Sequence, residues 1–423
     1  MKNVIEFDIK KFNLQNGLKV LTLENHFIPI VSYYTFYKVG SRNEIPGITG
    51  ISHLFEHMMF KGSKKFKNIS FDKILEPMGG YSNAYTSRDM TVYYENFPPD
   101  VLKLVVELDS DRMGSLNLVS KELDSEREVV KEERRYRTEN SIIGKMDEEL
   151  YLAAYSAHSY RFPIIGWMSD LSNINIDDCH GYLETYYNPA NSCIVLVGDF
   201  NTNTALSIIE QNYSKIQVNP VKRQCITKEP TQTGEKRVEY RKPAEVYSFM
   251  VGFHAPDINN PDIFALEILR TILTDGESSR LQKKLIYDKE IALSVYSDFT
   301  WRIDPTLFVL YVQMKPNYSS EEGEKLLYDE IEKIKNGDIL DKDIIKAKNK
   351  IESYFFKSIK TTLGLGEKIG SSEILFGDYN FIFKVLDEFK KIEKNNLIKV
   401  VNKYFIKGNR TVVTLVPKSN EGS

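Results

Sequence analysis

The chain has 423 residues, 42% hydrophobic and 27% charged, an ordinary globular composition with room for about two to four domains. A net charge of −3 and a pI of about 6.2 exclude the global basic field that nucleic acid selects. Three cysteines, Cys179, Cys193 and Cys225, exclude a disulfide framework, and the absence of an apolar run of roughly 18 residues excludes a membrane-spanning helix.

The N-terminus alternates charge with aliphatics and has no apolar signal region, so it reads as a first strand of a cytoplasmic chain. Strands "FDIKKFNL" and "LKVLTLE" flank the turn "QNG", and "VSYYTFYKVGS" continues the β pattern. "GITGISHLFEHMMF" has the apolar spacing of a helix, and "SFDKILEPMGG" is a second short helix ended by its glycines. "SNAYTSRDMTVYYENF" returns to alternation and predicts a strand pair. "PDVLKLVVELDSDRM" and "SKELDSEREVVKEERRYRTEN" are helices, the second with Ser120 as its N-cap. "YYNPANSCIVLVGDF" is a turn followed by a buried strand.

The second half repeats this plan. "VYSFMVGFHAP" answers "VSYYTFYKVGS", "PDIFALEILRTIL" answers the His-bearing helix, and "DILDKDIIKAKNKIESYFFKS" answers the charged helix. Near the end, "YFIKGNRTVVTLVP" matches "YYNPANSCIVLVGD", including the asparagines Asn191 and Asn409. A polar stretch with no periodicity lies between the copies. The expected fold is therefore α+β: two homologous α/β-sandwich domains, each a mostly antiparallel sheet with helices packed on it. Their expected boundaries are 1–214 and 238–423, with a linker at 215–237.

The copies differ where metal binding is concerned. "ISHLFEHMMF" carries His53, Glu56 and His57, whereas "FALEILRTIL" has no histidine. Residues four apart share a helix face, so His53 and His57 can present two imidazoles to one ion, with Glu56 beside them. Zinc accepts neutral imidazole and needs a third protein ligand to be catalytic. The charged helix offers Glu122, Glu126, Glu128, Glu132 and Glu133. Of these, Glu126 and Glu133 lie two turns apart on one face. Glu133 could reach the metal with Glu126 behind it, and Glu132 is the alternative on the same turn.

The order His-x-x-Glu-His inverts the usual zincin motif. With "GSRNE", "GITGISHLFEHMMFKGS", "GGYSNAYTSRDMTVYYENF", "EREVVKEE", "HSYRFPIIGW" and "YYNPANSCIVLVGDF", the sequence resembles the pitrilysin family of zinc metallopeptidases over nearly its whole length. That family includes insulysin and the mitochondrial processing peptidases, and the size resembles its short bacterial type. The resemblance implies one Zn2+ per chain on His53, His57 and Glu133. It implies Glu56 as the general base and Glu126 as the supporting carboxylate. It also implies that Ser82, Asn83, Ala84, Tyr85 and Thr86 form an edge strand on which a peptide substrate is laid by β-addition.

The family's complete members carry an Arg and a Tyr seven apart in the second half. Here those positions are Ile286 and Leu293 in "LIYDKEIAL", with Tyr287, Tyr296 and Arg280 nearby but out of register. The resemblance then implies the zinc-bearing half of a split metalloendopeptidase. A homologous zinc-less subunit would supply the pair, forming a heterodimer that encloses short or unfolded peptides in a chamber. The alternatives are a self-sufficient homodimeric peptidase and a non-catalytic assembly subunit of the same fold. Neither nucleic acid nor membrane is expected as a partner.

Overall fold

The protein is described from a computed structural model covering residues 7–67, 70–218 and 225–418. In chain order, β1 (Lys10–Asn13) and β2 (Lys19–Glu24) flank the expected turn, followed by β3 (Val31–Tyr37), α1 (Ile51–Met58) and α2 (Phe71–Leu75). β4 (Tyr81–Thr86) and β5 (Thr91–Phe97) form the strand pair. The helices α3 (Leu102–Ser115), α4 (Ser120–Arg134), α5 (Ile142–Ala154), α6 (Met168–Asn173) and α7 (Ile176–Tyr186) come next. β6 (Ser192–Gly198) and α8 (Thr202–Tyr213) close the first copy. The second copy runs through β7 (Lys236–Pro243), β8 (Ser248–Ala255), α9 (Asp262–Thr274), β9 (Ala292–Asp298), β10 (Thr306–Met314), α10 (Ser320–Lys335) and α11 (Asp341–Ser358). It ends with α12 (Thr362–Phe376), α13 (Phe381–Lys391), α14 (Lys394–Tyr404) and β11 (Arg410–Lys418). Ser120 is the first residue of α4, not its cap. Val119 holds the cap position without a side-chain bond, because the hydroxyl sits one residue too far along.

The chain forms two compact units, one comprising Met1–Tyr136, Phe162–Ile226 and Lys357–Phe383, the other Arg137–Arg161, Thr227–Phe356 and Lys384–Ser423. The linear division at 215–237 does not include this exchange: α5 of the first copy folds into the second unit, and α12 of the second copy into the first. β7 already begins at Lys236, within the last residues of the expected linker, and residues 219–224 of that linker lie outside the described residues.

The first unit holds a six-stranded sheet ordered β1-β2-β6-β3-β5-β4. β3 and β6 are buried along their whole length, which explains why they read as continuous apolar or aromatic runs. One face packs against α1, α3, α7 and α8 through a core containing Leu54, Phe55, Val105, Tyr182 and Ile209. α12 covers the other face, where a Cβ on Gly370 would meet Phe36 at 1.9 Å and one on Gly366 would meet Tyr34 at 2.8 Å. The glycines let the helix backbone lie directly on those rings. Lys11 and Lys19 donate to the buried Glu373 carboxylate at 2.9 and 2.7 Å, and Tyr34 donates to Leu363 O at 2.8 Å.

The second unit holds a five-stranded sheet ordered β7-β11-β8-β10-β9. α5 packs on it through Met146, Leu150 and Tyr151, which with Tyr155 just past the helix end share a core with Met250, Tyr311 and Val413. The two copies repeat one local device. Asn191 Nδ2 donates to Tyr186 O (2.9 Å) and Lys38 O (3.3 Å), and Asn409 Nδ2 donates to Tyr404 O (2.7 Å) and His254 O (2.9 Å). In each unit this asparagine ties the end of a helix to the strand beside it. No helix among the described residues is long and apolar enough to cross a membrane.

Candidate metal centre

α1 forms because Ile51, Leu54, Phe55 and Met58 recur at helical spacing and are all buried. That leaves His53, Glu56 and His57 on the opposite face. A helix of eight residues is marginal alone, since nucleation costs more than a few hydrogen bonds return. Its start is therefore held from outside. Glu44, from the "GSRNE" segment, accepts from Gly50 N (2.7 Å) and Ser52 N (2.9 Å), satisfying backbone donors that the helix itself cannot. Burial raises the Glu44 carboxyl to about 7, against the hydrogen bonds from Ser52 and Gly50.

Gly50 at φ +87° precedes the helix, and Gly166 at φ +81° faces it. A Cβ on Gly50 would meet Ile165 O at 2.5 Å, and one on Gly166 would meet Thr49 O at 2.2 Å. The two backbones touch, so "GITG" and "FPIIGW" form one structural element although far apart in sequence. Asp170, at the start of α6, clamps the same loop by accepting from Thr49 N (3.2 Å) and Thr49 Oγ1 (2.7 Å).

α4 packs on α1 and presents Leu123, Glu126, Val130 and Glu133 along one face. Glu133 Oε2 lies 3.6 Å from His53 Nε2 and 3.4 Å from His57 Nε2. One ligand atom from each of the three residues falls within 4.8 Å of the others. Four-coordinate zinc with bonds of about 2.0–2.1 Å separates its ligands by roughly 3.3 Å, so this donor set fits that ion. The side chains of His53, His57 and Glu133 are 12%, 23% and 18% exposed, so the cluster is largely but not fully buried.

Glu126 stands behind His57. Its Oε2 is 3.4 Å from His57 Nδ1, and its Oε1 accepts from Lys61 Nζ at 2.6 Å. A carboxylate at Nδ1 favours the tautomer that keeps its proton there and leaves the Nε2 lone pair available to a cation. Burial disfavours the charged His57 ring, but the hydrogen bond it donates to Glu133 and the charges of Glu133, Glu56 and Glu126 outweigh it and raise its pKa. Such a cluster of negative charge around two imidazoles suits a cation.

The other carboxylates of α4 are placed elsewhere. Glu132 is exposed and paired with Arg135, Glu128 is exposed and paired with Lys131, and neither belongs to the cluster. Glu56 accepts from Thr86 Oγ1 at 2.5 Å, which joins α1 to the end of β4. Among the described residues, β4 is an edge strand of the first sheet, paired with β5 only. Ser82 donates to Asp72 and Tyr85 donates to Glu367 Oε1 at 2.6 Å, while Asn83 Oδ1 accepts from Ala84 N. Sequence reading did not single out Glu44, Lys61 or Glu367. Glu44 and Lys61 lie within motifs already noticed, but their partners come from packing. The glycines four apart in "GLGEKIG" were a signal that α12 lies close against another element.

In the second unit, Ile286 lies in a π-helical turn (Gln282–Asp288) and Leu293 lies on β9, half exposed. Arg280 is bound to Glu330 and Asp338 at 3.1 and 2.9 Å, and Tyr296 stacks on Tyr311 with centroids 4.6 Å apart.

Among the described residues, the two-histidine, one-glutamate cluster is found in the first unit alone. The chain belongs to peptidase family M16. Residues 19–166 match the model described as "Insulinase (Peptidase family M16)", and residues 173–351 match "Peptidase M16 inactive domain". It is 33% identical over 418 residues to zinc protease PqqE of Helicobacter pylori, covering 96% of this chain and 92% of that one. It is 23% identical to a probable mitochondrial-processing peptidase subunit beta of Arabidopsis thaliana, covering 92% of this chain and 75% of that one. A solved protease from Helicobacter pylori superposes with a TM-score of 0.92 at 30% identity, covering 97% of this chain and all of that one.

Proposed function

We propose that the chain is a zinc metalloendopeptidase that cleaves short or unfolded peptides. The observation that carries this reading is the convergence of His53, His57 and Glu133 at ligand spacing, next to Glu56 and the open edge of β4. When bound, zinc supplies a Lewis acid that polarises a carbonyl and brings the pKa of a coordinated water near neutrality.

The backbone of β4 gives a peptide a strand to pair with, which supplies affinity with little demand on sequence. Thr86 Oγ1 holds one Glu56 oxygen at 2.5 Å and so orients the carboxylate. Glu56 takes a proton from the attacking water and returns it to the amide nitrogen as the C–N bond breaks. Glu126 keeps His57 in its metal-facing orientation and is itself anchored by Lys61.

The finer reading is the catalytic subunit of a heterodimer that closes a chamber with a zinc-less homologue. It is supported by Ile286 and Leu293 standing where the family's Arg and Tyr are expected. It is also supported by the engagement of Arg280 with two acids, which leaves it a poor substitute. A relative named as a subunit points the same way. The test is hydrolysis of a mixed quenched-fluorescent peptide library by the purified, zinc-loaded chain, with Glu56→Gln as the blank. Zinc binding with turnover supports a complete peptidase and removes the split-enzyme reading. Zinc binding without turnover, rescued by a second subunit bearing Arg and Tyr, supports the heterodimer. A chain that binds no zinc overturns the proposal.

A further inference from the structure

The side chains of β4 alternate between the two faces of the sheet. Ser82 and Thr86 reach Asp72 and Glu56 on the α1 side, and Ala84 packs against the core there. Tyr81, Asn83 and Tyr85 therefore face the other way, towards α12. A peptide paired to this edge has the same alternation, so every second side chain points to the α12 face, away from the metal ligands.

That face is built from particular groups. Tyr34 stacks on Tyr94 with centroids 5.4 Å apart, and Tyr81, at the start of β4, is half exposed. Gly366 and Gly370 bring α12 down onto Tyr34 and Phe36. This close approach sets Glu367, between the two glycines, against the edge strand. Glu367 Oε1 accepts from Tyr85 OH (2.6 Å) and from Ser371 Oγ (2.8 Å). Among the described residues no lysine, arginine or histidine pairs with this carboxylate, and its Oε2 accepts no hydrogen bond. The side chain is only partly buried. It is thus an oriented, uncompensated negative charge beside tyrosine rings, set back from the edge by the length of the Tyr85 side chain. Such a site fits a long cation, whose charge meets the carboxylate and whose stem or guanidinium lies on the rings.

We propose that Glu367 is a specificity-determining residue that selects a lysine or arginine side chain on the α12-facing positions of the bound peptide. This rests on the reading of β4 as the substrate edge. It makes a segment of the second sequence copy part of the substrate site of the first.

The test measures binding. A short fluorescein-labelled peptide of Ala, Ser and Leu is compared with a series in which one arginine is moved along it. Anisotropy titrations use the zinc-loaded full chain carrying Glu56→Gln, alone and combined with Glu367→Gln, an isosteric change that keeps an acceptor for Tyr85. The expected result is about tenfold tighter binding at one position or at positions two apart, lost in Glu367→Gln, with the neutral peptide unchanged. Glu367→Lys should transfer the preference to a glutamate at the same position. An equal arginine gain in both chains overturns the selector. Equal weakening of neutral and basic peptides in Glu367→Gln, mimicked by Tyr85→Phe, makes Glu367 a mere support for the strand and also overturns it. If peptides bind without any arginine gain, the selector alone fails. If no peptide binds any chain, the reading of the edge strand fails and takes the selector with it.

Discussion

At the scale of single residues, the candidate centre separates ligands, base and support, and each makes a different prediction. Glu56 lies beside the cluster without belonging to it, so Glu56→Gln should retain zinc by atomic absorption while hydrolysis falls by at least about a hundredfold. Glu133→Gln removes the charged member of the cluster and, if the proposed ligand set holds, should abolish stoichiometric zinc. Zinc retained at full affinity would move the ligand assignment elsewhere. Glu126→Gln should keep the site but weaken zinc by about 10- to 100-fold in a competition titration, because it acts through His57.

Glu44 makes a prediction in pH. Its carboxyl is raised from an ordinary value near 4.5 to about 7 by burial. A raised acid stabilises the fold fully below the unfolded pKa and loses that contribution as pH rises through the folded pKa. The unfolding free energy of wild type relative to Glu44→Gln, from urea titrations, should therefore fall between pH 5 and pH 8 by an amount on the order of 3 kcal/mol. A difference that is flat across this window would show that the buried carboxyl keeps its ordinary pKa.

At the scale of elements, helix α12 is the critical piece of the first unit. Its glycines permit contact with Tyr34 and Phe36, and Glu373 ties it to two lysines of the neighbouring strands. Gly370→Ala should cost about 1–3 kcal/mol, read as a lower denaturation midpoint, since the new methyl has to displace a fully buried ring. A substitution without cost would mean that α12 is not seated as described. α1 shows the complementary case. Its apolar face packs in the core, but its start depends on Glu44, Gly50 and the Ile165–Gly166 backbone, all outside the helix.

At the scale of the whole molecule, duplication has produced two sheets that share a five-strand plan, the first with β1 added at its edge, and among the described residues one candidate metal cluster. All three candidate ligands lie in the first unit. Binding to the folded state stabilises it by mass action, about 4 kcal/mol at a thousandfold excess over Kd. Chelation should therefore raise amide exchange in α1 and α4 and leave β8, β10 and β11 of the second unit unchanged. Uniform loosening of both units would contradict a site confined to the first.

The sequence by itself determined the elements with strong periodicity, the duplication, the family, and the helix faces that carry His53, His57, Glu126 and Glu133. These follow from local spacing, because residues four or seven apart on a helix share a face whatever surrounds them. Tertiary structure alone decided the rest. No local pattern reports that Glu44 caps α1, that Lys61 holds Glu126, or that Glu132 points to solvent while Glu133 meets the histidines. The exchange of α5 and α12 between the copies is of the same kind. Each helix has its own periodicity, but the sheet face it covers is chosen by which exposed apolar surface it can bury, and that surface exists only once strands distant in sequence have paired.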